Sequence, residues 1–433
     1  VVGGSLATGP RLAADEERIE PATRVGEWLR LREERFSHLE PYRPGFVERS
    51  ILAFEKSERP SLLHLNLFGF YPRIQGIASG SSNAIGVRFW QPEIAHSAID
   101  VHASAFYSWH HYEFYDAQIG RIPHPEVRAE AAGALPMRST KGDDLWELGS
   151  LRRPGAAGWV AYLSARYQHY PRFEYFGLGP DSRHADETSF LDQDALYEVR
   201  AAYQPHRHLL LAARAGYLRT SIGGGEEPDV PSIEEVFDEE TAPGLSAPPD
   251  MWKLTSFLLF DTRDFPKNPN HGLMVSFELS RYVDRAGGSF SFNRFGVDAR
   301  AFVPLGSPQR VLALRVQGIG DDPDPGARVP FFLQSFLGGS HTLRGFRNFR
   351  YRGESSLLLS AEYRWEAIPA IELALFVDSG TVGAEGIDID LATLHTSWGT
   401  ALRLKVERAL LCRLEWAKGP EDHRFYIRFS PAW

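Results

Sequence analysis

Phe336-Leu337-Gly338-Gly339-Ser340-His341-Thr342-Leu343-Arg344-Gly345-Phe346 is a glycine-rich stretch with five segments of alternating apolar and polar residues after it, before the chain ends at Trp433. A guanidinium presents five donors in a fixed fork and stays charged, so an Arg-Gly-Phe in such a connection calls for a carboxylate to grip. Two follow shortly, Glu362 and Asp378. Glu362 alternates with Leu359, Ala361 and Tyr363, while Asp378 shares with Glu372 the face opposite Ile371, Leu373, Leu375 and Val377. Period two of this kind is a strand with two unlike faces. The stretch is therefore expected to fold back between strands and present Arg344 to Glu362 or Asp378.

The same alternation continues to the end. Trp398, Leu402, Leu404 and Val406 oppose Gly399, Arg403 and Lys405; Cys412, Leu414 and Trp416 oppose Arg413 and Glu415; Phe425, Ile427 and Phe429 oppose Tyr426, Arg428 and Ser430. Charged residues make up 24% of the chain and the mean hydropathy is -0.29, values ordinary for a water-soluble protein. A membrane β-barrel reads this way too, because lipid-facing and lumen-facing residues alternate and no long apolar run arises. No apolar run reaches the length of a membrane-crossing helix. These strands run about 10 residues, enough to cross a bilayer when tilted, which favours the barrel over a soluble sandwich.

Sixteen strands can be counted: 71–81, 84–91, 97–108, 112–122, 157–172, 190–204, 208–221, 251–262, 271–284, 289–304, 309–320, 354–366, 371–380, 395–406, 409–418 and 423–430. An even number brings both ends to the same side, as a closed antiparallel barrel needs. The count depends on a hairpin at Trp109-His110-His111. The expected fold is thus an all-β, 16-stranded antiparallel transmembrane barrel over residues 61–433, with 321–353 folded into its lumen.

In combination these segments resemble the BamA-type outer-membrane assembly barrels, the bacterial surface-antigen superfamily. Leu343-Arg344-Gly345-Phe346 is similar to the family's loop-six motif, and Phe376-Val-Asp-Ser-Gly380 to its aspartate after loop six. Phe176-Gly-Leu-Gly-Pro-Asp-Ser182 resembles an aromatic-Gly-Leu-Gly loop. Phe260-Asp-Thr-Arg-Asp264 with Pro266, Pro269 and Gly272 resembles a tight turn between the eighth and ninth strands. Gly69-Phe-Tyr-Pro-Arg73 with Gly76 and Gly80 resembles the first-strand region. The resemblance covers residues 65–433. It implies that Arg344 pairs with Glu362 or Asp378 in the lumen, that Gly345 permits close backbone approach, and that Phe346 packs on the inner wall. It also implies work at a seam between the first and last strands, where unpaired backbone could template an incoming strand. Gly76 and Gly80 would weaken one side of that seam. The other side, with Phe425, Ile427 and Phe429, has no internal glycine, unlike the assembly factor itself.

The family's transport members carry POTRA modules, for which residues 1–60 are too short. They read as a periplasmic or plug segment with helices from about Pro21 to Leu39 and on to about Lys56, broken at Pro41 and Pro44. The first residues contain no signal peptide and no initiator Met, as in a processed chain. Residues 123–156 fall by parity on the periplasmic side and are a second candidate docking segment for a protein partner. Residues 222–250 hold nine carboxylates without Lys or Arg and lack calcium-loop spacing, so a solvated loop is expected.

The net charge of -9 argues against nucleic acid as a partner, and Cys412 alone can form neither an internal disulfide nor a cysteine-built zinc site. No nucleophile elbow, zincin, P-loop or dinucleotide motif occurs, and adjacent His110 and His111 face opposite ways on a strand, so no enzyme, metal or cofactor is expected. The expected location is the outer membrane, with its lipids as surroundings. The expected function is outer-membrane protein insertion, or polypeptide or lipoprotein export, at a lateral seam; the alternative is a scaffold barrel within a larger envelope complex.

Overall fold

In a computed structural model the residues described are 68–78, 81, 83–94, 99–122, 158–265, 268–368, 370–406 and 409–428. The chain divides into Val1–Phe54 and Glu55–Trp433, and everything below concerns the second unit. The expected N-terminal helices, the 123–156 segment, Gly80 and Phe429 lie outside the described residues.

Sixteen antiparallel strands form one sheet. They are β1 Phe70–Gly76, β2 Asn83–Gln91, β3 Asp100–Ser108, β4 Glu113–Arg121, β5 Gly158–Tyr175, β6 Thr188–His206, β7 Leu209–Gly224, β8 Met251–Asp261, β9 Gly272–Asp284, β10 Phe292–Pro304 and β11 Arg310–Pro323. After a long loop come β14 Ser355–Ile368, β15 Ile371–Gly383, β16 His395–Val406, β17 Ala409–Lys418 and β18 His423–Arg428. Each strand pairs with the next in sequence, β11 passing directly to β14. All sixteen counted segments are present, and Trp109-His110-His111 is a hairpin turn, closed by Ser108 N–H to Tyr112 O at 2.9 Å and with His111 at φ 63°. The loop between β11 and β14 carries two short strands that the sequence reading did not separate, β12 Ser335–Leu337 and β13 Tyr351–Gly353, paired with each other.

The two faces of the sheet settle what surrounds it. Leu375, Leu254, Ile427 and Val199 are 60%, 60%, 57% and 55% exposed, while Glu362, Asp378 and Arg300 on the opposite face are buried. Charge inside and hydrocarbon outside is the inverse of a water-soluble core and is stable in a bilayer. The protein is a sixteen-stranded transmembrane β-barrel. Among the described residues no helix is long and apolar enough to cross a membrane.

Antiparallel order places the loops after β1, β3, β5, β7, β9, β11, β15 and β17 at one end and both ends of the sheet at the other. The loop end is closed by an apolar layer. Tyr112, Tyr170, Phe173, Tyr175 and Phe190 of the wall pack with Phe331, Phe332, Leu333 and Phe349 of the β11–β14 loop and with Ile233 and Ala242 of the β7–β8 loop. The latter corrects the expectation for 222–250. It is a packed lid: Tyr175 O–H donates to Thr241 O at 2.6 Å, and Arg328 donates to Glu239 O at 3.2 Å and Glu240 O at 2.5 Å. The acidic side chains hid this because a few apolar anchors suffice once the backbone is held by polar partners.

One carboxylate of the lid is held by local hydrogen bonds. The Asp238 carboxylate accepts from the backbone N–H groups of Thr241 and Glu240 and from the Thr241 hydroxyl, bonds led by the Thr241 backbone, which hold it below its usual value. A depressed folded-state pKa stabilises above the ordinary aspartate value and loses its contribution as pH falls through the lower folded value. Limited proteolysis should therefore cut the lid no faster at pH 5 than at pH 7, with extra cleavage appearing only below the usual aspartate range. On the wall, Leu375→Arg should lower unfolding stability in lipid by about 2–4 kcal/mol, whereas Ile387→Arg in the β15–β16 loop should be nearly neutral.

Candidate functional site

Arg344 sits at the bottom of the β11–β14 loop, deep in the lumen and 1% exposed. Its guanidinium grips Asp378 on β15 through both Nε at 2.7 Å and Nη2 at 2.8 Å, the bidentate geometry that suits this side chain. Nη1 donates to Glu362 on β14 at 2.9 Å and to Glu415 on β17 at 3.2 Å. The Phe376 ring lies under the guanidinium, 3.4 Å from its carbon to the centroid, giving a cation–π contact. The expected alternatives, Glu362 or Asp378, are thus both partners, and Glu415 is a third that the sequence reading did not name. It could have been found: Glu415 shares the polar face with Arg413, opposite Cys412, Leu414 and Trp416.

These contacts belong to a larger balanced network. Glu362 also accepts from Arg364 Nε and Arg403 Nη2, each at 2.6 Å; Arg403 bonds Glu372 at 2.9 Å; Lys405 pairs with Glu372 at 3.2 Å and with Glu366; Arg413 lies 3.1 Å from Glu415. The members are Arg344, Arg364, Arg403, Lys405 and Arg413 against Glu362, Glu366, Glu372, Asp378 and Glu415, five cations to five carboxylates. Charge neutrality is what permits so many ions away from bulk water; removing one strands its partner.

The neighbours of Arg344 hold it in place. A Cβ on Gly345 would lie 2.5 Å from Gly419 N and 2.6 Å from Ser397 Cβ, so only glycine lets the loop backbone pass the β16–β18 wall here. Leu343 and Phe346 are buried with Leu337, Tyr351, Leu358 and Val382, and Tyr351 in turn stacks on His395 at 3.9 Å. Higher up, Arg315 of β11 donates to His341 O at 3.0 Å and Arg294 of β10 to Leu333 O at 2.5 Å, so the adjoining wall holds the loop as well.

The last strand is fastened to this loop. Tyr426 O–H on β18 donates to Arg344 O at 3.0 Å, and Arg350 grips Glu421 of the β17–β18 turn at 2.6 and 2.9 Å. On β18, Phe425 and Ile427 point outward and are exposed.

At the other edge, Gly76 ends β1, which is seven residues long. Trp90 N–H donates to Gly69 O at 2.8 Å, so by antiparallel alternation Tyr71 and Arg73 direct their backbone groups at β2, and Phe70, Pro72 and Ile74 direct theirs away from it. Pro72, whose nitrogen carries no hydrogen, therefore removes a donor from the open edge and none from the β1–β2 ladder. Among the described residues no pairing joins β1 to β18.

With fold and site in place, the class is an outer-membrane β-barrel. Residues 219–433 match the Omp85 superfamily domain, which assigns that part of the chain to the superfamily. The structure of BamA from Haemophilus ducreyi lacking POTRA domains 1–3 is similar over 92% of this chain and 80% of that one, with a TM-score of 0.56 at 12% identity, a likeness of fold. CdiB from Acinetobacter baumannii gives 0.47 and CdiB from Escherichia coli 0.48, both at 12% identity; this chain covers 56% and 62% of them and is itself covered to 80% and 84%. No curated protein matches the sequence.

Arg344→Ala leaves Asp378, Glu362 and Glu415 facing one another without their common cation and should cost about 3–5 kcal/mol. Heat-modifiable migration and urea unfolding in detergent should both register the loss. Arg344→Lys should recover little of it, because an ammonium cannot span three carboxylates with one planar fork.

Proposed function

We propose that this barrel acts at the β1–β18 seam, receiving a polypeptide strand during outer-membrane protein insertion or export, without catalysing covalent chemistry. The observation that carries this reading is Pro72, which withholds a hydrogen bond from the seam edge of β1, while the strands between β1 and β18 are paired along both edges. Three further features support it. β1 runs seven residues against 18 and 19 for β5 and β6, so little of its backbone is available to hold the seam shut. The aromatic layer at the loop end obstructs a straight route through the lumen, which leaves the side. The solved structure that shares the fold is BamA lacking POTRA domains 1–3. Residues 1–60 and 123–156, which lie outside the described residues, are the proposed docking points for a periplasmic or outer-membrane partner.

One observation favours a second reading, a scaffold barrel that never opens: β18 is tied to the Arg344 loop through Tyr426 and Glu421. A single experiment separates the two. In a Cys412→Ala background, a cysteine on β1 and another on β18, bridged by a disulfide, should abolish assisted folding of an added barrel client in proteoliposomes, with recovery on reduction. Unchanged activity with the seam bridged would leave only the scaffold. In the same assay Pro72→Ala, which restores one donor worth about 0.5–1.5 kcal/mol, should slow the client reaction and raise the barrel's melting temperature.

A further inference from the structure

The outer wall of the barrel is not evenly covered. Alternation along β11 turns Leu314 and Val316 outward, both exposed, and continues to Gly318 and Gly320, which carry no side chain. Each glycine belongs to a register row of outward residues that crosses the neighbouring strands. One row runs Leu211, Leu258, Phe277, Val297, Gly318 and Leu357 from β7 to β14; the next runs Ser256, Leu279, Phe295, Gly320 and Ser355 from β8 to β14. Between them lies a groove of about 860 Å³. With strands tilted by about 40°, five spacings of about 4.8 Å carry it about 24 Å along the wall and about 15 Å through the hydrocarbon, half of the bilayer core.

The β15–β16 loop forms a ledge at the upper end. Ile387 lies over Gly320, where an added Cβ would come within 3.0 Å of its Cγ1, and Ile389 lines the groove beside it. The ledge is fastened to the rim. Gly386 N–H donates to Glu354 Oε2 at 2.6 Å, and the other oxygen of that buried carboxylate accepts from Val329 N–H of the β11–β14 loop at 3.1 Å. The Ser355 hydroxyl donates to Asp388 O at 3.4 Å, and the Thr381 and Thr393 hydroxyls lie 2.7 Å apart. Ile387 nevertheless stays 63% exposed and Leu391 61%. Large aliphatic side chains held outward on a fastened loop are stable against hydrocarbon and costly against water.

The groove is continuous with the lipid-facing wall, and it is apolar. Glu278, the one ionisable residue along it, is buried on the lumen face and accepts from the Ser280 hydroxyl at 2.8 Å. Rows two residues apart on a strand are separated by about 7 Å, which admits one hydrocarbon chain and not a helix of about 10–12 Å diameter. We propose that the groove holds one acyl chain of a lipid in the loop-side leaflet, clasped at its upper end between Ile387 and the glycine floor.

The test uses the full chain in phosphatidylcholine proteoliposomes doped with a phospholipid that carries a diazirine midway along one acyl chain. After irradiation, mass spectrometry should find adducts on Phe295, Val297 and Ile389 at least about fivefold above those on Leu373 and Leu375, which face lipid on β15 outside the groove. Gly318→Leu fills the floor. A Cβ there meets Val297 at an ordinary 3.4 Å, so the barrel should fold and the excess should vanish. Ile387→Arg removes the clasp and should lower the excess while leaving stability nearly unchanged. Heat-modifiable migration confirms that each variant is folded. Equal labelling of the groove and the β15 wall, or an excess that survives in both variants, overturns the proposal. Labelling of the groove below that of the wall would mean that a second copy of the chain covers it, and would overturn the proposal as well.

Discussion

The fold depends on the contact between Arg344 and three carboxylates from three different strands. Each carboxylate alone would be an ion held away from bulk water at considerable cost; together with the guanidinium they form a neutral, hydrogen-bonded unit. Since Glu362, Asp378 and Glu415 lie on β14, β15 and β17, the contact fixes the spacing of the C-terminal wall as well as the position of the loop. The glycine at 345 exists because that loop must press its backbone against Gly419 and Ser397. What a β-barrel usually achieves by filling its interior with apolar side chains is achieved here by charge pairing below and an aromatic layer above.

This arrangement gives the barrel two unlike halves at its seam. The β18 side is held from within, through Tyr426 and Glu421, by the same loop that carries Arg344. The β1 side is short and has Pro72 on its open edge. A force that separates the edges would therefore move β1 and β2 before it moves the hairpin of β17 and β18. Loop position and seam strength become one mechanical system, in which the charge cluster sets how firmly the last strand is held.

Much of this was legible in the sequence, for a physical reason. Alternation is local, so all sixteen strands could be counted, and an Arg-Gly-Phe tip advertises its need for a carboxylate. The inward direction of Glu415 is legible from its alternation with Cys412, Leu414 and Trp416, but its link to Arg344 depends on which wall the loop leans toward, which spacing does not give. The lid at 222–250 reads as a solvated acidic loop because its anchors, Ile233 and Ala242, are few and its backbone partners come from distant elements. β12 and β13 are three residues each, below the length at which alternation can be distinguished from chance. The meaning of Pro72 needs the hydrogen-bond phase of β1, which only the pairing with β2 supplies.

The central claim is that β1 presents a weakly held edge, and hydrogen–deuterium exchange of the protein in lipid tests it at single-residue resolution. The account predicts rapid exchange at Phe70 and Ile74, whose amides point away from β2, and slow exchange at Tyr71 and Arg73, whose amides are bonded to it. Equal, strong protection at all four would mean that the seam is fully paired, and would contradict the account.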